Sequence, residues 1–341
     1  MQKQNLTTHP SCCLHMFCNT NQLTERLNMR QIIIFLLLFF TALILHNTAK
    51  AQPNLNKPAN FAALKQSDSG YLFNTLAFTS ADGQRHYRVY IAAPDRKVPA
   101  GGFPAFYILD GNAALDFFTP ENMRALSAQS LPPVLVLIGY ATDKRFDAQA
   151  RAYDYTIAPD NDNTDPLDST RINGGADIFL DLIQNEIMPA VNQQVRINPN
   201  AQTLWGHSYG GLMVMHTLFT QPNLFQHYIA ADPSVWLHGD MLQQEAETML
   251  KRQVAFSGSS LWVFSSKLKA GKLPKNPQAA ARIRIRNEHT ARYAGLINKL
   301  INELEQKTDL TIRYEHYPQE NHGSLFGKSL QQALFYPVIR Q

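Results

Sequence analysis

Short apolar runs recur along most of the chain, and stretches with a helical period lie between them. Two runs come first, Tyr71 to Phe78 and Tyr87 to Ile91, on either side of Ala81-Asp82-Gly83. Their alternation and the glycine-bearing turn predict an antiparallel hairpin. Six shorter, continuous runs follow: Ala105–Leu109, Val134–Ile138, Thr203–Trp205, Tyr228–Ala230, Leu261–Phe264 and Leu310–Ile312. Runs of this kind suit strands buried on both faces of a parallel sheet. Helical periodicity marks Ala176 to Val191, Leu212 to Phe219, a long stretch from Arg282 to Leu304, and Ser324 to Leu334. A hairpin leading into alternating strands and helices predicts an α/β fold. Its central sheet would be mostly parallel, with the antiparallel hairpin at its N-terminal side and helices on both faces. Residues 140–175 show little periodicity and many Asp, Asn and Thr. A connection that long is expected to act as a lid or binding loop.

The N-terminus follows a different pattern. Ile32 to Leu45 is an apolar run interrupted only by Thr41, with Arg30 before it and Ala49-Lys50-Ala51 after it. The run is short of the roughly 20 residues that a membrane-spanning helix needs. It fits the h-region of a secretory leader, with cleavage expected after Ala51. Residues 1–51 are therefore read as a leader and 52–341 as a single catalytic-size domain. Met29 is a candidate true start, because Met29-Arg30 and the apolar run form a complete leader by themselves. An uncleaved N-terminal anchor is the alternative. The expected location is periplasmic or secreted.

Composition supports this division. The chain has 341 residues, 45% hydrophobic and 17% charged, which is ordinary for a globular protein. Its formal charge of +4 belongs mostly to the leader, where Lys3, Arg26, Arg30 and Lys50 face only Glu25. A nearly neutral body argues against a general nucleic-acid binder. All three cysteines (Cys12, Cys13, Cys18) lie in the leader. The mature chain therefore offers no disulfide, thiolate metal site or cysteine nucleophile.

Gly206-His207-Ser208-Tyr209-Gly210 matches G-x-S-x-G. It follows a short apolar strand and enters an apolar helix, which is the context of a nucleophile elbow. Ser208 would then stand at the carboxyl end of the sheet, beside the Tyr209 amide as one oxyanion donor. The second donor is expected from the loop after the earlier strand, Leu109-Asp110-Gly111-Asn112. Gly111 would let the backbone turn sharply there and aim the Asn112 amide inward.

The base should follow the last strand. His322, in the polar segment Glu320-Asn321-His322-Gly323-Ser324, occupies that place. His316 is the runner-up, and His207 and His216 read as structural. The acid is expected after Leu261–Phe264, but Ser265-Ser266-Lys267-Leu268 follows and the next carboxylate is Glu288. The imidazole would then be oriented by the Ser265 hydroxyl, by a backbone carbonyl or by Glu320. Loss of the orienting acid costs serine proteases about 10⁴ in turnover, although a site built without one need not lose as much.

With these residues in place, the sequence resembles the periplasmic trilactone esterases of catecholate siderophores of the enterobactin and salmochelin type. These are α/β-hydrolases of the esterase D-like kind. The blocks that carry the likeness are Asp82–Val89, Leu109–Ala113, Arg151-Ala152-Tyr153-Asp154-Tyr155-Thr156, Leu204–Gly211 and His322-Gly323. The resemblance implies a Ser–His dyad of Ser208 and His322, with Arg151 beside the substrate. Family members can carry Glu where this chain has Ser265. A ferric tris-catecholate is a trianion, so its pocket should hold cations and aromatics. Arg145, Arg151, Tyr153 and Tyr155 are the candidates in the aperiodic region. Lys267, Lys269, Lys272 and Lys275 are the candidates after the strand at Leu261–Phe264. The expected partner is a small anionic ester, a siderophore with or without iron. No metal or organic cofactor is required, since any iron would arrive with the substrate. Two other readings stand beside this one: a secreted carboxylesterase of simpler acyl or aryl esters, and a siderophore-binding pseudoenzyme motivated by the missing acid.

Overall fold

The computed structural model describes residues 57–159, 161–267 and 276–335. Among these residues eight strands form one sheet. They are β1 (Tyr71–Thr79), β2 (His86–Pro94), β3 (Phe103–Leu109), β4 (Val134–Tyr140), β5 (Ile197–His207), β6 (His227–Ala231), β7 (Ser260–Ser266) and β8 (Thr311–Tyr317). Their order across the sheet is β1-β2-β4-β3-β5-β6-β7-β8. The β1–β2 and β2–β4 pairs are antiparallel and every other pair is parallel. The expected fold is the one observed.

The helices in chain order are α1 (Gly111–Ala114), α2 (Pro120–Ser127), α3 (Ala148–Asp154), α4 (Ala176–Leu182), α5 (Met188–Gln194), α6 (Tyr209–Thr220), α7 (Gly239–Lys251), α8 (Pro277–Arg292), α9 (Leu296–Lys307) and α10 (His322–Phe335). Side chains of the central strands alternate between the two faces. Tyr107, Val136 and Leu204 join Phe179, Leu212, Leu242 and Leu300 in one core. Ile108, Leu137 and Trp205 join Met123, Leu126, Leu325 and Leu330 in the other. Both faces of the sheet are thus dry, which is why these strands read as unbroken apolar runs.

Three expectations need correction. The run at Leu310–Ile312 is not buried on both faces, because β8 is the edge strand and most of its residues are partly or fully exposed. The long helical stretch from Arg282 to Leu304 is two helices, α8 and α9. The chain turns between them at Gly295, where φ is +80°, a conformation that glycine adopts without steric cost. Residues 140–175 are not a bare loop. They hold α3, capped by the Asp147 carboxylate on the amides of Gln149 and Ala150, and a Thr164–Ile172 bridge.

The expected leader, with Ala51 and Met29, lies outside the described residues, as do Lys269, Lys272 and Lys275. Among the described residues no helix is long and apolar enough to cross a membrane.

Candidate active site

Three neighbouring strands of the parallel sheet end in the same way. The residue just past β3 is Asp110, past β5 is Ser208, and past β6 is Asp232, with φ of +55°, +62° and +40° respectively. None is glycine, and left-handed non-glycine residues are uncommon and concentrate at functional sites. Each backbone reverses sharply there and leaves its side chain at the carboxyl edge of the sheet.

The elbow at Ser208 depends on close approach of the chain to itself. A Cβ on Gly206 would lie 2.2 Å from the Gly210 carbonyl oxygen. On Gly211 it would lie 2.9 Å from the Ala231 carbonyl oxygen. Glycine at 206 and 211 therefore lets α6 start against β5 and the end of β6. At Gly210 the same atom would meet only ordinary contacts. The left-handed turn after β3 belongs to Asp110 rather than to Gly111. Glycine is needed at 111 because a Cβ would sit 2.7 Å from the Leu137 backbone.

Ser208 Oγ lies 3.0 Å from His322 Nε2. His322 begins α10, and its Nδ1 lies 3.2 Å from Asp232 Oδ2. A carboxylate can only accept, so Nδ1 carries the proton and Nε2 is free to accept from the serine hydroxyl. The Asp232 carboxylate also accepts from the Ser266 amide at 2.7 Å and from the Ser266 hydroxyl. Burial works against its charge. The hydrogen bond and charge of His322, with the other donors, more than offset this and hold its pKa below the ordinary value.

The expectation that no carboxylate orients the imidazole is therefore corrected. The order serine, acid, histidine is kept along the chain, but the acid comes from the end of β6, one strand before the expected place. Adjacent strands are less than 5 Å apart, so the ends of β6 and β7 can both serve one histidine. The end of β7 instead holds Asp232 through Ser266. Ser265 points to the other face, where its hydroxyl meets His316 Nδ1 at 2.9 Å and the Tyr314 hydroxyl at 2.8 Å. His316, the alternative base, is thus committed away from Ser208. Glu320 meets Lys267 through its backbone carbonyl. The motive for a binding-only pseudoenzyme falls with the missing acid.

His207 completes the support. Its Nε2–H donates to the His322 carbonyl at 2.7 Å, and the two rings lie 4.6 Å apart. Burial, then the charge of His322, pushes its pKa down to about 3, so it stays neutral. His207, Asp232 and His322 bring ligand-type atoms within 4.8 Å of one another. These atoms are already engaged in orienting the base.

The other anticipated residues divide. Asn112 is buried, and its side-chain amide donates to the carbonyls of Tyr140, Thr142 and Lys144. Only its backbone amide is left to serve an oxyanion. The guanidinium of Arg151 grips Asp110 with two bonds of 2.9 Å and lies over the rings of Tyr209, Tyr155 and Phe146. Burial disfavours its charge, but Asp110 outweighs that and raises its pKa. Tyr153 lies two residues on, on the opposite side of α3. There it packs on Gly175 and under the Arg85 guanidinium, 4.3 Å away. Arg145 pairs with Asp116 at 3.1 Å. Asp165, which sequence reasoning missed, accepts from the Tyr209 hydroxyl at 2.9 Å. Ser234, also missed, places its hydroxyl 3.3 Å from Ser208 Oγ.

Known proteins resemble this chain over most of its length. The esterase family model matches residues 80–332. The apo-salmochelin esterase of Escherichia coli O6:H1 (strain CFT073) is 34% identical over 267 residues, covering 77% of this chain and 78% of that protein. The solved enterobactin hydrolase IroE in complex with DFP is 32% identical with a TM-score of 0.64, covering 80% of this chain and 98% of that one. The siderophore hydrolase EstB from Aspergillus nidulans is 26% identical with a TM-score of 0.62, covering 79% of this chain and 97% of that one. Elbow, base and sheet topology thus sit in a chain that matches these proteins over most of its length, and it belongs to the esterase family of the α/β-hydrolase superfamily.

Proposed function

We propose that this protein is a serine esterase that opens the ester bonds of a catecholate siderophore trilactone, with Ser208 as nucleophile, His322 as base and Asp232 as the orienting acid. The observation that carries the reading is the hydrogen-bonded series Ser208–His322–Asp232 at adjoining strand ends. As Ser208 Oγ attacks the ester carbonyl, its proton passes to His322 Nε2. Asp232 holds the tautomer and stabilises the imidazolium that forms. The backbone amides of Tyr209 and Asn112 receive the oxyanion. Collapse of the tetrahedral species breaks the C–O bond, and His322 returns the proton to the departing alkoxide. Water, deprotonated by the same imidazole, then cleaves the acyl-enzyme and restores Ser208.

The relatives named for salmochelin, enterobactin and other siderophores support the substrate class. The leader pattern supports export, with the reaction in the periplasm or outside the cell. Iron, where present, belongs to the substrate.

One observation favours a second reading, a carboxylesterase of simpler esters. Arg151 and Arg145, the two arginines expected to meet the trianion, are both held by carboxylates of the fold. A chromatographic time course of residues 52–341 with ferric and iron-free enterobactin, beside Ser208→Ala, tests the first reading. Linear trimer and shorter fragments are expected from the native chain and none from the variant. Fragments from the variant would sink the Ser208 mechanism. Intact trilactone with aryl esters still hydrolysed would favour the second reading.

A further inference from the structure

Arg151 is the cation that the resemblance places beside the substrate, yet the contacts of its guanidinium belong to the protein. Nε and Nη2 both bond to Asp110, whose side chain is 1% exposed against 13% for Arg151. The Asp110 amide donates to the Tyr155 hydroxyl at 3.1 Å, and the Tyr155 ring lies against the same guanidinium. The guanidinium also lies 5.3 Å from the centre of the Tyr209 ring. The Tyr209 hydroxyl is tied in turn to Asp165. Arg151 therefore bridges the end of β3 and the end of β5. One or two residues beyond each lies an amide assigned to the oxyanion, Asn112 after Asp110 and Tyr209 after Ser208.

We infer that Arg151 is a positioning residue: through Asp110 and Tyr209 it holds the two oxyanion-binding turns in register and neutralises a buried carboxylate beside them, and it is not the ligand of an anionic substrate. The inference deepens the serine-esterase reading and rests on it. Asp110 is held in a left-handed conformation that the surrounding structure must enforce. Its carboxylate reaches the start of α6, where Oδ2 is 3.8 Å from the position a Cβ on Gly210 would take. A bare negative charge there would oppose the negative charge that develops on the carbonyl oxygen in the transition state. A bidentate guanidinium cancels that charge and fixes the loop at once, which a lysine ammonium cannot do with the same geometry.

The two roles predict different kinetics. A ligand of the substrate's anion matters for anionic esters and acts on KM. A residue that sets the oxyanion donors matters for every ester and acts on kcat. The test compares the neutral 4-nitrophenyl butyrate with the anionic mono-4-nitrophenyl ester of succinic acid. Wild type, Arg151→Met, Arg151→Lys and the double variant Asp110→Asn/Arg151→Met are measured on both. Arg151→Met is expected to lower kcat by about 10- to 100-fold on both esters, with KM within about threefold. Arg151→Lys, which keeps the charge but not the fork, is expected to fall between it and wild type. The double variant, with the buried charge gone, is expected to recover part of the loss. Arg151→Lys and the double variant also keep the test decisive if the lone Asp110 carboxylate prevents Arg151→Met from folding. A rise in KM confined to the succinate ester, with kcat unchanged, would overturn the inference and return Arg151 to the substrate. Equal kcat in all four proteins would overturn it as well. If wild type hydrolyses neither ester, the same four proteins are compared on ferric enterobactin: equal turnover in all four overturns this inference, and cleavage by none of them overturns the esterase reading.

Discussion

Asp232 shows how the proposed acid of the site is defined by its neighbours. Nothing in its own segment, Ala231-Asp232-Pro233, marks it as an acid of the site. Its left-handed backbone, the two donors from Ser266 and its contact with His322 Nδ1 do so. Replacing Asp232 with Asn should leave the imidazole in the wrong tautomer and lower kcat by about 10³- to 10⁴-fold. Ser265→Ala and Glu320→Gln should stay within about threefold of wild type, since neither side chain meets His322. Steady-state hydrolysis of 4-nitrophenyl butyrate decides the matter, and a loss larger in Ser265→Ala than in Asp232→Asn would contradict it. The block from Arg151 to Thr156 is legible for a similar reason. Arg151 meets Asp110, Asp154 accepts from Tyr87 and Tyr140, the Tyr155 hydroxyl takes the Asp110 amide, and Thr156 accepts from Gly174. The block can be picked out because it carries the family likeness, but its partners lie elsewhere in the chain and cannot be read from it.

Among the elements, the contact of α6 with α4 and α7 carries a titratable group away from the chemistry. His216 on α6 is buried, with Nδ1 bonded to Glu245 at 3.0 Å. Its Nε2 lies 3.2 Å from Asp177, as an ion pair. Burial opposes its charge, but the bonds and charges of Asp177 and Glu245 prevail and raise its pKa from 6.5 to about 9. A group whose pKa is raised on folding stabilises most below its unfolded value and loses that contribution as the pH rises through the folded value. The effect should thus be complete below about pH 6.5 and gone above about pH 9, on the order of 3 kcal/mol at most. Urea unfolding at pH 6 and pH 9.5 checks this. The native chain should lose more stability between the two pH values than His216→Phe, and equal losses would remove His216 as the cause. At this scale the apolar runs of the central strands were readable because both faces of the sheet are covered. β8 was misread because an apolar run does not say whether a helix covers its far side. The break at Gly295 was missed because the amphipathic period continues across it, and a single glycine in a helical pattern does not reveal its own φ.

For the whole molecule, the proposed leader and the folded chain are tested separately. If residues 1–51 direct export and are removed, mass spectrometry of the exported protein should find Gln52 at the N-terminus. A chain retaining residues 30–45 in a membrane fraction would favour the anchor instead. The sequence by itself determined the fold class, the strand–turn–helix setting of Ser208 and the position of His322. These depend on local pattern and on order along the chain. A strand–turn–helix with glycines at close approaches is a short-range feature, and the periodicities record which faces are dry. Tertiary structure alone decided which carboxylate serves the histidine and what Arg151 holds. Those choices depend on which strand ends lie side by side. Asp232 and His322 are 90 residues apart, and Arg151 is 41 from Asp110. Only the parallel packing of β3, β5, β6 and β7 brings such groups within hydrogen-bond reach, and no local pattern in the chain encodes that distance.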